Sequence, residues 1–217
     1  MGRLAQTLGP GMTLDLFPSV LSIAALAVSC ATAWFTLFRR GSLKMTRPAV
    51  VYFGADGPIK FGESPKAKVF VRTLLYSTGK RGCVIESMHA AVRRGETIQN
   101  FNVWVYGDKD LTRGSGLFIG ETGFATNHHF LLPGDGTDFR FLEGNYQVEV
   151  FATLVGQHRP QALATVQLPL SSKIAAALVD PSMGVYFDWG PESNNYSPHV
   201  KKTAYKKEVP EFIVPGA

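Results

Sequence analysis

Cysteine is nearly missing from this chain, and charge is missing from one long stretch of it. The 217 residues contain two cysteines, Cys30 and Cys83. Cys30 falls inside an apolar run, so the rest of the chain holds a single thiol and can close no internal disulfide. That excludes a disulfide-stapled scaffold. There is no Gly-x-Ser-x-Gly elbow, and no Ser, His and acid are spaced as a triad. The glycine-rich stretch "RGSGLFIG" (113–120) matches neither a P-loop nor a dinucleotide fingerprint, and its glycines read as turns or bulges. Strand and helix patterns do not alternate in the way that builds a parallel sheet. Hydrophobic residues make up 45% of the chain and charged ones 18%, which excludes intrinsic disorder.

What is present begins with an apolar run. From Leu16 to Phe38 there are 23 residues without a formal charge. At a helical rise of 1.5 Å per residue they reach about 34 Å, enough for a hydrocarbon layer of about 30 Å. Backbone in lipid must satisfy its own hydrogen bonds, so a helix is expected over 16–38. Pro18 is tolerable in a first turn, Trp34 suits the interface, and Arg39-Arg40 end the run. An uncut single-span anchor is the preferred reading. Two processing alternatives stand beside it: a cleaved signal, from "ATA" at 31–33, and a lipoprotein, from "AVSC" at 27–30.

Cations near a span resist translocation. Arg3 lies upstream, whereas Arg39, Arg40, Lys44 and Arg47 follow downstream. The expected placement is a single-pass protein of the bacterial inner-membrane type with its C-terminal domain in the cytoplasm, the periplasm being the alternative. Ala25, Ser29 and Ala33 recur every four residues, a spacing through which a homodimer of spans can pack, although Ala and Ser are also common filler.

Beyond residue 48 the period changes to two. In "KVFVRTLLY" (68–76), Val69, Val71, Thr73 and Leu75 alternate with Phe70, Arg72, Leu74 and Tyr76. "NFNVWVYG" (100–107) sets Phe101, Val103 and Val105 against Asn102, Trp104 and Tyr106. "NYQVEVFATLVG" (145–156) and "ALATVQLPL" (162–170) continue the series. Such alternation, rich in β-branched and aromatic residues, marks half-buried strands, and turn-rich connections between them argue for an antiparallel sandwich. "CVIESMHAAVRRG" (83–95) fits either a helix or a strand entering a hairpin, and its neighbours favour the hairpin. The expected organisation is a short tail (1–15), the span (16–38), a basic juxtamembrane linker (39–48) and the sandwich (49–170). A short helix and an aromatic segment packed on the sandwich (171–200) and a flexible basic tail (201–217) follow.

At "FRFLEGNYQVEV" (139–150), Gly144-x-Tyr146-x-Val148 is similar to the tyrosine corner of immunoglobulin-like domains. The resemblance implies that the Tyr146 hydroxyl bonds back to upstream backbone. It also implies that Val148 stands where antibody domains carry a cysteine, and that Trp104 is the packing tryptophan of an earlier strand. The implied fold is an antiparallel immunoglobulin-like β-sandwich, preceded here by one transmembrane helix. Its members mostly bind or space other molecules.

The most tempting chemistry is His128-His129 with Glu121 seven residues before His128. Adjacent strand residues face opposite ways, so a shared metal is not expected, nor is any cofactor. Trp104, Tyr106 and Trp189 are the candidate recognition surface for an unidentified protein partner. Lys201 and Lys202, joined to Arg39, Arg40, Lys44 and Arg47, are candidates for anionic lipid. Aromatic and basic residues do not interleave along one long face, so nucleic acid is not expected as a partner. The resulting expectation is a non-catalytic protein presenting a β-sandwich for protein binding or scaffolding at the membrane. The alternatives are an enzyme built on Glu121, His128 and His129, and a lipid-surface sensor.

Overall fold

In the computed structural model, which describes residues 16–38, 41–56, 66–108 and 110–203, the first described element is α1, Leu16–Ala33. Its hydroxyl side chains turn back on the helix: Ser22 Oγ donates to the Pro18 carbonyl at 2.8 Å, Ser29 Oγ to Ala25 at 2.9 Å and Thr32 Oγ1 to Val28 at 2.8 Å. The hydroxyl groups on an otherwise apolar helix surface are thereby satisfied. Phe17–Thr36 is long and apolar enough to cross a membrane, and none of it is buried against the rest of the chain. The α-geometry stops short of the expected end at residue 38, because Trp34–Phe38 widen into a π-helical turn. There Thr36 Oγ1 donates to the Thr32 carbonyl at 2.8 Å, a bond of the kind that bends helices.

The rest is mainly β, in two antiparallel sheets. The first has eight strands. Its members are β1 (Leu43–Met45), β2 (Val50–Ala55), β3 (Ala67–Ser77), β6 (Val103–Tyr106), β7 (Thr112–Arg113), β9 (Phe124–Leu131), β12 (Met183–Gly190) and β13 (Asn195–Lys202). Their order is β13-β12-β2-β3-β9-β6-β7, and β1 also pairs with β3. The second sheet comprises β4 (Cys83–Arg94), β5 (Thr97–Phe101), β8 (Leu117–Ile119), β10 (Gly144–Leu154) and β11 (Gln161–Leu170). Its order is β11-β10-β4-β5, with β8 also on β4.

The alternation read from the sequence holds in the longest strands. Val69, Val71, Thr73 and Leu75 of β3 are buried on one side, as are Tyr146, Val148, Val150 and Ala152 of β10. Inward residues of both sheets share one core with Phe53, Phe101, Phe130 and Phe187. The ambiguous 83–95 stretch is a strand, β4, turning into β5 through Gly95, whose φ of 56° suits glycine.

Three expectations need correction. The alternation drawn through 100–107 breaks at Asn102, where the chain leaves β5 in one sheet and enters β6 in the other. Phe101 and Trp104 therefore both point into the core, and Val103 and Val105 face outward. The expected linker is also partly strand, since β1 pairs Leu43 with Ser77 and Met45 with Leu75. At the other end, Lys201 and Lys202 belong to β13 and pair with Gly184 and Met183. Residues 204–217 and 1–15, with Arg39 and Arg40, lie outside the described residues. The aromatic segment 184–196 packs back as expected, β12 pairing with β2 and carrying β13 beyond it. Helix α2, Ser172–Ala177, has Ser171 at its cap position, but that side chain makes no capping bond.

Candidate functional site

Two places on the molecule gather side chains in ways the fold alone does not require. The first is a row of rings across the outer face of the eight-stranded sheet. Register sets His199 beside Tyr186, Tyr186 beside Tyr52, Tyr52 beside Phe70 and Phe70 beside His129. The ring centroids are 5.5, 4.9, 4.8 and 5.1 Å apart in turn. Such cross-strand aromatic contacts each contribute about 0.2–1 kcal/mol. Tyr52 is only 2% exposed although it lies on the outer face. Gly54 and Gly184 explain this: a Cβ at either position would overlap the Tyr52 ring, so the two glycines let it lie down on the backbone.

Charged groups border the row. His199 Nδ1 is 2.9 Å from Asp188 Oδ2, and Lys201 Nζ stands 5.6 Å from the Tyr186 ring centre. Lys68 pairs with Asp56 at 3.3 Å and Arg72 with Asp108 at 3.2 Å. Burial, and secondarily the neighbouring Tyr52, pushes the Tyr186 hydroxyl above its ordinary value. Rings flanked by paired charges can stack and accept edge contacts from a partner. Of this row the sequence reading singled out only His129, and for other chemistry, although apolar residues on both faces of "KVFVRTLLY" were a signal that neither face is simply solvated.

The second place is the junction between helix and sheets. Ser42 N donates to Thr78 Oγ1 at 2.9 Å, and Thr78 N donates to the Ser42 carbonyl at 3.1 Å. Gly41 and Gly79 lie in such close approach that a Cβ on Gly41 would overlap the Gly79 backbone. A cleft of about 380 Å³ separates this clasp from the last helical turn, lined by Phe35, Thr36, Lys80 and Glu121 among others. Only positions 39 and 40 intervene between the helix and the clasp.

The remaining candidates scatter. Trp104 is 2% exposed and belongs to the core, which removes it from any recognition surface. Tyr106 is half-buried, its ring between those of Trp104 and Phe124. Trp189 is half-buried beneath the Arg47 guanidinium, which lies 4.0 Å from its ring centre, and it also packs against Tyr196. Lys201 stands level with Lys68, eight residues along β3 from Tyr76, which pairs with Lys44. At about 3.4 Å per residue that is about 27 Å, so the terminal lysines do not join Lys44. Ala25, Ser29 and Ala33 lie on α1 as the sequence spaced them.

His128 and His129 face opposite sides of β9, as adjacent strand residues must. His128 is fully buried with Trp104, whose indole Nε1 donates to His128 Nδ1 at 3.3 Å. The acceptor role of Nδ1 makes Nε2 the protonated nitrogen, and among the described residues Nε2 has no hydrogen-bond partner. Burial first, and the neighbouring His129 second, lower the His128 pKa to about 4. His129 Nε2 lies 3.0 Å from the Gly107 carbonyl on the outer face. Glu121 sits in the turn before β9, at the junction cleft. The three residues share no site, and among the described residues no group of His, Cys, Asp and Glu is arranged to hold a metal. This corrects the alternative built on them. Burial raises the Cys83 thiol above its ordinary pKa, against nucleophilic use.

The fold and these surfaces define a class: a mainly β protein of two antiparallel sheets, with one N-terminal helix long and apolar enough to cross a membrane. Among known proteins, no family model, curated protein or solved structure matches the chain.

Proposed function

We propose that this chain is a non-catalytic single-pass membrane protein that presents an immunoglobulin-like sandwich for binding or scaffolding a protein partner at the membrane. The observation that carries the reading is the clasp of Gly41 and Ser42 with Thr78 and Gly79. A domain tied so close to an apolar helix is positioned rather than loosely tethered, which is what presentation at a surface needs. The immunoglobulin-like character draws support from Tyr146: its hydroxyl donates to the Leu142 carbonyl at 2.7 Å and accepts from Leu142 N at 2.9 Å. The downstream cations favour the cytoplasmic side for the domain.

The partner surface in this reading is the outer face holding Phe70, Tyr186 and His199, bordered by Arg72. Aromatic rings and arginine are enriched where interfaces bury their anchors. A photo-crosslinking side chain at position 186 or 199 of the full-length chain, in its own membrane, tests the proposal. The expected result is one discrete protein adduct from these positions and none from position 167, on the outer face of the other sheet. Equal patterns from all three positions would overturn it. A phosphatase fused after Ala217 reads the side of the membrane, and an active fusion would place the domain opposite to the proposal.

A further inference from the structure

The end of the sandwich nearest α1 carries a surface that no linear stretch of sequence displays. Val84 of β4 pairs with Phe118 of β8 on one side, and on the other side its carbonyl accepts from Val155 N at 3.0 Å. Phe118 is 60% exposed and Val155 63%. The Phe118 ring lies against Gly82, which ends the β3–β4 turn containing exposed Lys80 and Arg81. Val155 opens the β10–β11 turn, which also contains exposed Arg159. Lys80 also lines the cleft against Phe35 and Thr36 of the helix. An apolar row bordered by cations therefore stands at the level where the charge-free helix ends.

We propose that this rim is a second membrane contact, in which Phe118 and Val155 enter the headgroup–acyl boundary while Lys80, Arg81 and Arg159 bind anionic phospholipid headgroups. The inference rests on α1 spanning the bilayer. Three observations select lipid over a protein occupant. The rim is continuous with the helix through the clasp, so a bilayer holding the helix already reaches it. Its cations complement anionic headgroups. Exposed aromatic and aliphatic groups beside Lys and Arg are the composition of interfacial anchors. Docking here fixes the tilt of the sandwich and leaves the opposite end, with Lys201 and Lys202, pointing away from the membrane. Each cation near an anionic surface shifts such an equilibrium about fivefold, so the three together contribute about a hundredfold.

The test uses the full-length chain with Cys30→Ala and Cys83→Ala, reconstituted in phosphatidylcholine vesicles containing about 30% phosphatidylglycerol. A nitroxide is placed singly by Phe118→Cys, Val155→Cys, Ile98→Cys or Leu26→Cys. Ile98 is an exposed residue of β5 near the far end of the second sheet, and Leu26 lies in α1. Power saturation then compares access of oxygen with access of a water-soluble nickel chelate. Labels at 118 and 155 should favour oxygen and the label at 98 should favour nickel. In pure phosphatidylcholine, or with Lys80→Glu, Arg81→Glu and Arg159→Glu, the first two should move to the nickel-accessible class. Water-like labels at 118 and 155 in anionic vesicles, with a lipid-like label at 26, overturn the rim contact and leave the span intact. A water-like label at 26 overturns the span itself. Lipid-like rim labels that ignore lipid charge and the three substitutions overturn the assignment to headgroup cations. Position 155 keeps the test valid if replacing the Phe118 ring disturbs its packing on Gly82.

Discussion

Acidification should destabilise the folded chain through His128, and the size of the effect follows from where that ring sits. An unfolded histidine titrates near 6.5, whereas His128 in the core is lowered to about 4. The folded state therefore binds fewer protons than the unfolded state at every pH between those values. The sign is fixed by that difference: the contribution is fully present above pH 6.5, is lost as pH falls through the window, and is flat below about pH 4. A separation of about 2.5 units at 1.36 kcal/mol each gives a total of about 3 kcal/mol, of which about 2 kcal/mol is gone by about pH 5. Against a typical net stability of about 5–15 kcal/mol that is a large fraction.

The structural cause is specific. Protonating Nδ1 would turn the acceptor of the Trp104 indole N–H into a second donor facing it, and among the described residues no acid is bonded to either ring nitrogen. Urea unfolding of full-length protein in a mild detergent, followed by near-UV circular dichroism at several pH values, measures the effect. His128→Asn keeps an acceptor near the Nδ1 position and cannot titrate. Its stability should be flatter by about 2 kcal/mol between about pH 7 and pH 5. His89 and His129 are also lowered, by burial first, and remain in both proteins, so their contribution cancels in the comparison. Parallel curves for the two proteins would refute the reasoning.

Other consequences are smaller experiments. Tyr146→Phe removes both bonds to Leu142 and leaves that residue's N–H and carbonyl short of a partner; a loss of about 1–3 kcal/mol is expected from the same urea titration. Gly184→Ala would push a methyl group into the Tyr52 ring. Destabilisation of about 1–3 kcal/mol should appear with altered near-UV signals, whereas Gly134→Ala, in open space, should change neither. Gly41→Val should break the clasp with Gly79; limited proteolysis of the membrane-bound protein should then cut after Arg39 or Arg40 faster, while the unfolding midpoint of the sandwich stays close to the parent value. An unchanged cutting rate would mean the clasp does not control access to the junction.

Much of the architecture was legible because strand burial has a period of two and a long uncharged apolar run reads as a helix able to cross a membrane. Leu16–Phe38 declares itself by length and lack of charge, and 68–76 and 145–154 declare their inward faces by alternation. Gly144-x-Tyr146 also anticipated the hydroxyl bond to upstream backbone. Periodicity fails where the chain changes sheets: one residue, Asn102, reverses which side of 100–107 faces the core and moves Trp104 from surface candidate to interior. Nor does a one-dimensional count of cations say which end of a sheet they occupy. Antiparallel register carries Lys201 and Lys202 about 27 Å or more from Lys44 and brings Lys80, Arg81 and Arg159, scattered through the sequence, to the end nearest the helix. The same register strings His199, Tyr186, Tyr52, Phe70 and His129 into one row, although each comes from a different strand. Solvent preference along the chain was thus decided locally by residue type, whereas the neighbours of each exposed side chain were decided by strand pairing across long sequence separations, which only the folded chain contains.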